Sequence, residues 1–420
     1  MHSLNNFKFF HLFTFSLALL ALQGCDYVIK KIGGNFQGSP QELNSKVSAK
    51  TLKTMQQVTS GIRPECYHDF HIHLAGVGHN QSGIYVNPKG LQKKNISDYL
   101  KFKIYLSAAG VTDIENADKE YFERLKSIWL NSGLVGKMHL LAFDYNYDES
   151  GKPDLERTTL YVPNDYVFKL ADENPNIVIP VISIHPDRPD ALIELEKYAK
   201  RGAKFLKWLP NAMRINPSLE KNRPFYEMMK KYDITLLTHV GEERAVKGDE
   251  FQELGNPQLL KLPLDMGVKV IMAHMASLGN CKDLENNNQE QTCFELFWRL
   301  FNNKKYEKNL FADISGITIH TRVGDPIEKL IEHPELQDRI VNGSDYPLPA
   351  INWIYRTSQL QDLGFITEEE KTALDEIYGY NPLLFDFALK RLLKHPKTGK
   401  TLTIKAFETP VALGGCAPIK

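Results

Sequence analysis

Eight apolar, strand-length runs separated by helix-length runs constrain this chain more than any other feature it has. The runs fall at residues 67–74, 137–144, 177–184, 203–208, 234–239, 268–274, 310–315 and 340–343, with amphipathic helical stretches between them at 121–130, 191–200, 224–231 and 256–265. Strands alternating with helices imply a parallel sheet with the helices packed outside it. Eight such units fit an α/β fold closed into a (β/α)8 barrel of the TIM type. An open doubly wound sheet is the competing arrangement. It would normally carry a Gly-rich phosphate turn, and the sequence has neither GxGxxG nor a P-loop. At 420 residues and 42% hydrophobic the chain can bury a large core, and with 51 basic and 51 acidic side chains and no basic block it offers no nucleic-acid surface.

The N-terminus stands apart from the barrel. Lys8 precedes an apolar run from Phe9 to Leu22 that is short for a permanent membrane span, and Leu22-Gln23-Gly24-Cys25 follows. This resembles a bacterial lipoprotein signal, which implies cleavage before Cys25, acylation of its thiol, and a stable membrane anchor once two or more chains are attached. Asp26 resembles an inner-membrane retention signal. The expectation is therefore a signal peptide over 1–24, a Gly- and Pro-containing tether with a polar helix over 25–60, a barrel over 61–394 and a small extension over 395–420. The protein is expected in the bacterial cell envelope, facing the periplasm or the exterior. In an oxidising compartment the remaining cysteines form an even set, open to three pairings. Cys281 and Cys293 bracket a polar loop and are expected to staple it, which leaves Cys66 and Cys416 to tie the tail to the start of the first strand.

Polar residues recur at the C-terminal ends of the runs. Asp69, His71 and His73 lie in His-Asp-Phe-His-Ile-His on the first, where alternation predicts one shared face. Lys207, His239, His274 and Asp345 follow at the ends of the fourth, fifth, sixth and eighth. Lys207 to His239 is 32 residues, His239 to His274 is 35 and Asp313 to Asp345 is 32, each about one strand–helix unit, so these strand ends converge on one mouth of a barrel, where active sites of such barrels sit. Four buried histidines could each be satisfied core residues, and Asp345 could cap a helix. Their joint placement favours a shared metal, because neutral imidazole is a common zinc ligand.

As an ordered set these residues resemble the amidohydrolase superfamily, in its amidohydrolase-related branch. Asp69-x-His71-x-His73, His185-Pro186-Asp187-Arg188-Pro189 and Gly343-Ser344-Asp345-Tyr346-Pro347 carry the likeness, which spans about residues 66 to 390. The resemblance implies one or two divalent ions, zinc foremost, held by His71, His73, His239, His274 and Asp345, with Lys207 as a bridging ligand if carbon dioxide has carboxylated it. An ammonium anchoring a substrate carboxylate and a lysine paired with a neighbouring acid are the competing readings of Lys207. Asp345 would relay protons, and metal-activated water would hydrolyse an ester, lactone or amide of a small-molecule substrate. Two alternatives stand beside hydrolysis: non-oxidative decarboxylation, known in the same branch, and a surface lipoprotein that binds a ligand without turnover. His185 and Arg322 are weaker candidates for touching substrate. Glu242 and Glu243 read as solvated charges, and Asp313 as a buried partner or a pocket wall.

Overall fold

The structure is a computed structural model that describes residues 25–417 except residue 247, without the side chains of residues 25, 26 and 249. The expected signal peptide, and the thiol of Cys25 with it, lie outside the described residues.

All eight expected strands form: β1 (His68–His73), β2 (Lys137–Leu141), β3 (Val178–Val181), β4 (Phe205–Trp208), β5 (Thr235–Thr238), β6 (Val270–Met272), β7 (Leu310–Asp313) and β8 (Ile340–Val341). Parallel pairing joins β1 to β2 to β3, and β4 through β8 in order. Parallel bridges between Ile182 and Leu206 and between Ile72 and Tyr346 connect the two arcs, so the ring closes as the (β/α)8 pattern requires.

Each strand sends one apolar side chain into a single interior belt: Phe70, Leu141, Val181, Phe205, Leu237, Ile271, Phe311 and Val341. Leu413 of the C-terminal extension packs against the same belt, and the Cys66–Cys416 disulfide ties that extension to the residues just before β1. Alternate residues such as Leu140, Leu206, Leu236 and Val270 face outward into the large core beneath the helices. Period two then carries the chain from belt to mouth. Lys207 lies two residues beyond Phe205, His239 two beyond Leu237 and Asp313 two beyond Phe311.

β1 departs from simple alternation. Asp69 pairs with Met138 and Ile72 with Leu140, so β1 spends one extra residue between them, a bulge. Phe70 stays in the belt and His71 and His73 reach the mouth, but Asp69 does not share their face. Its Oδ1 accepts from the backbone N–H of His71 and of Ser344, on the side where Lys390 lies.

One other expectation changes. The 25–60 segment is no loose tether. Ile29, Leu43 and Val58 are buried, and the helix Ala49–Thr59 packs on Glu368–Tyr378 and Pro382–Leu392, so the globular unit begins near residue 29 rather than 61. Between β1 and β2 the chain forms a short strand, Tyr85–Val86, paired with Leu160–Tyr161, and a 13-residue helix, Ile96–Ala108. A short 3-10 turn, Ile114–Asn116, follows. The second disulfide, Cys281–Cys293, staples a two-stranded hairpin, Asn280–Asp283 with Gln289–Thr292. No described helix is long and apolar enough to cross a membrane.

Candidate metal centre

The residues expected at the mouth come together there. His71 and His73 turn their Nε2 atoms toward each other at 3.2 Å, and Lys207 Nζ lies 3.0 Å from His71 Nε2. The Asp345 carboxylate closes the group, 3.2 Å from His73 Nε2, 3.6 Å from His71 Nε2 and 3.9 Å from His274 Nε2. Ring centroids run from His73 to His71 at 5.0 Å, on to His274 at 5.0 Å and on to His239 at 5.1 Å. Donor atoms of His71, His73 and Asp345 all lie within 4.8 Å of one another, a span one cation can bridge.

Local backbone sets these positions. His274 and Asp345 both adopt positive φ, 56° and 61°, and Met275 and Ala276 continue the left-handed run. Non-glycine residues held there carry strain, which collects at functional sites. Gly343 must lack a side chain, because a Cβ there would stand 2.8 Å from that of His71.

Asp313 is the organiser that sequence could only half identify. It is fully buried, and its Oδ2 accepts from His71 Nδ1 at 2.8 Å. A carboxylate only accepts, so Nδ1 carries the proton and His71 Nε2 offers its lone pair to the centre. The other oxygen accepts from His274 N at 2.9 Å, Ser315 N at 2.9 Å and Ser315 Oγ at 2.5 Å. The Ser315 carbonyl, 2.9 Å from His274 Nδ1, fixes the same tautomer there. Glu243 lies on the Nδ1 side of His239 as Asp313 does for His71, though at a longer distance. It is buried rather than solvated, its Oε2 is 3.4 Å from His239 Nδ1, and its Oε1 is fastened by the N–H groups of Ala245 and Val246. The only sequence signal for it was its place one helical turn past His239. Opposite, the buried His239 Nε2 has no hydrogen-bond partner.

Electrostatics suit a cation. Burial lowers His73, His239 (to about 4) and His274, so these imidazoles are neutral ligands at pH 7. Burial works to raise Asp345 and Asp313, but the imidazoles around them win and hold both below the usual carboxylate range. Burial depresses Lys207 to about 8 despite Asp313, Asp345 and Glu243 nearby. An orphaned buried nitrogen, clustered lone pairs and ionised carboxylates together fit a divalent ion.

The weaker candidates divide. Arg322 is buried at the mouth, where burial lowers its pKa against the opposing pull of Asp345 and Glu243, and one arm rests on Ser277 Oγ at 3.2 Å. His185 is committed to the scaffold: its Nε2 donates to the Met213 carbonyl at 2.7 Å and its Nδ1 accepts from Asp187 N at 3.1 Å, which leaves no ring nitrogen for a substrate.

A family model described as Amidohydrolase matches residues 145–384, more than half of the chain. An uncharacterized TIM-barrel protein from Bordetella bronchiseptica is 14% identical over 74% of this chain and 94% of its own, with a TM-score of 0.45. A 5-carboxyvanillate decarboxylase from Novosphingobium aromaticivorans, solved with bound manganese, is 12% identical over 74% and 94%, with a TM-score of 0.42. A 4-oxalomesaconate hydratase from Rhodopseudomonas palustris is 13% identical over 73% and 92%, with a TM-score of 0.38. No curated protein matches the sequence.

Proposed function

The chain belongs to the amidohydrolase family, and on that footing we propose that it is a metal-dependent hydrolase acting with water on an ester, lactone or amide bond of a small molecule. The observation that carries this is Asp345: an ionised, buried carboxylate within 3.2 to 3.9 Å of three imidazole Nε2 atoms. His71, His73, His239, His274 and Asp345 would hold the ion, and their mixed nitrogen and oxygen donors suit zinc. When bound, such an ion lowers the pKa of water toward ~7 and polarises the scissile carbonyl. Asp345 takes the proton that water loses on attack and delivers it to the leaving alkoxide or amine. Asp313 and Glu243 keep His71 and His239 in the tautomer that presents a lone pair. Lys207 is an ammonium or, after its free amine combines with carbon dioxide and releases a proton, an anionic carbamate; the intact mass of the protein separates the two.

A second reading, non-oxidative decarboxylation, is favoured by Arg322, a buried guanidinium beside Asp345 able to grip a substrate carboxylate. Solvent oxygen-18 decides between them. Hydrolysis puts the label into the product acid, and product free of label would overturn the hydrolytic reading. We further propose that acylation of Cys25 holds the protein in the bacterial cell envelope, with Asp26 favouring the inner membrane. Palmitate labelling that persists in Cys25→Ser would refute this.

A further inference from the structure

The first described helix, Cys25–Ile32, packs against the helix Ile96–Ala108. It is amphipathic: Ile29 is buried and Val28 and Ile32 are half-buried, while Tyr27 is 69% exposed and Lys30 and Lys31 face solvent. Its far end is fastened to the mouth by four hydrogen bonds. Ser107 Oγ donates to the Gly33 carbonyl at 2.8 Å, Gly34 N to the Ala350 carbonyl at 2.8 Å, Trp353 N to the Ile32 carbonyl at 3.2 Å and Asn352 Nδ2 to the Lys31 carbonyl at 2.7 Å. Gly34 has a φ of +80° and approaches Ser107 so closely that a Cβ would overlap its carbonyl.

Both partners belong to the catalytic end. Ser107 lies in the helix Ile96–Ala108, whose Tyr105 hydroxyl donates to the Ala245 carbonyl at 3.2 Å, next to Glu243. Ala350 and Trp353 lie in the turn that leaves Asp345. The outer side of this junction carries Tyr27 and Trp353, the latter 49% exposed. Cations stand over both rings: Lys31 Nζ is 5.4 Å from the Tyr27 centroid and the Arg356 guanidinium 5.6 Å from that of Trp353. Exposed aromatic rings interleaved with Lys and Arg are what a protein presents to the headgroup layer of a bilayer. The apolar run ending at Leu22 and the acylation site at Cys25 directly precede this patch in sequence.

We propose that Tyr27, Lys30, Lys31, Trp353 and Arg356 form a docking surface for an anionic phospholipid bilayer, which holds the barrel mouth-first against the membrane. The inference rests on the lipid anchor proposed above and is independent of which reaction the site performs. Full-length acylated protein reconstituted in vesicles tests it, with tryptophan emission read against brominated phospholipids. Trp129 and Trp208 are buried and Trp298 is half-buried against the core, so the expected result is quenching that Trp353→Phe largely removes. Quenching should strengthen when phosphatidylglycerol is added to phosphatidylcholine, and weaken in Lys30→Glu/Lys31→Glu. Protein that floats with the vesicles but is quenched equally in wild type and Trp353→Phe, or not at all, overturns the docking surface alone. Protein that does not float overturns the anchor and this inference together.

Discussion

Replacing Asp313 by Asn isolates the most consequential hydrogen bond of the centre while barely changing its shape. One side of the carboxylate faces three donors, His274 N, Ser315 N and Ser315 Oγ. The amide oxygen of an asparagine must therefore take that side. Its NH2 group then stands where Oδ2 was, 2.8 Å from His71 Nδ1. Two donors cannot share that contact, so His71 must move its proton to Nε2, the atom that faces His73 and Lys207. A ligand lone pair is thereby lost without deletion of any ligand. A hydrogen bond to a charged group is worth about 1.5–3 kcal/mol, which corresponds to roughly 10- to 100-fold in affinity. Competition of zinc against a chromophoric chelator should show a loss of that size, with activity falling at fixed metal, while near-ultraviolet circular dichroism keeps its wild-type form. Metal affinity within twofold of wild type would refute the tautomer argument.

Further outcomes follow from the same geometry. Asp345→Asn should retain metal through the imidazoles and lower kcat by at least ~100-fold, and wild-type turnover would reject the proton relay. Glu243→Gln should weaken metal binding about tenfold by releasing His239, measured by the same chelator competition. At the closed end of the barrel, burial holds His68 at about 4 and His139 well below its ordinary value, with their rings hydrogen-bonded at 3.1 Å. Between pH ~6.5 and 4 the unfolded chain then binds more protons than the folded one, so stability should fall as pH drops through that window. Melting temperature against pH should have a shallower acid limb in His139→Phe. Removing the Cys281–Cys293 staple, which spans 12 residues, should cost about 2–3 kcal/mol in denaturant melts.

The barrel was legible because its strands are apolar runs set at strand–helix spacing, and all eight form where that spacing predicts. The ring of ligands was legible for the same reason: period two along β4, β5 and β7 links each mouth residue to an interior apolar one. What escaped depends on contacts across the chain. The bulge in β1 turns Asp69 away from the histidines, and nothing local in His-Asp-Phe-His-Ile-His marks it. Glu243 reads as a surface charge until the residues after β5 fold it under His239. His185 looks like a site histidine because it ends a strand, but the Met213 carbonyl claims its free nitrogen. The 25–60 segment has the glycines and proline of a linker, yet Leu43 and Val58 supply enough apolar surface to seat it on the C-terminal helices.

The central claim is that imidazoles far apart in sequence share a cation with Asp345. Anomalous diffraction from crystals grown with zinc tests it most directly. The account predicts an anomalous peak about 2.0–2.1 Å from Nε2 of both His71 and His73 and within bonding distance of Asp345. An anomalous map with no peak inside this ring, from zinc-loaded and catalytically active protein, would contradict it.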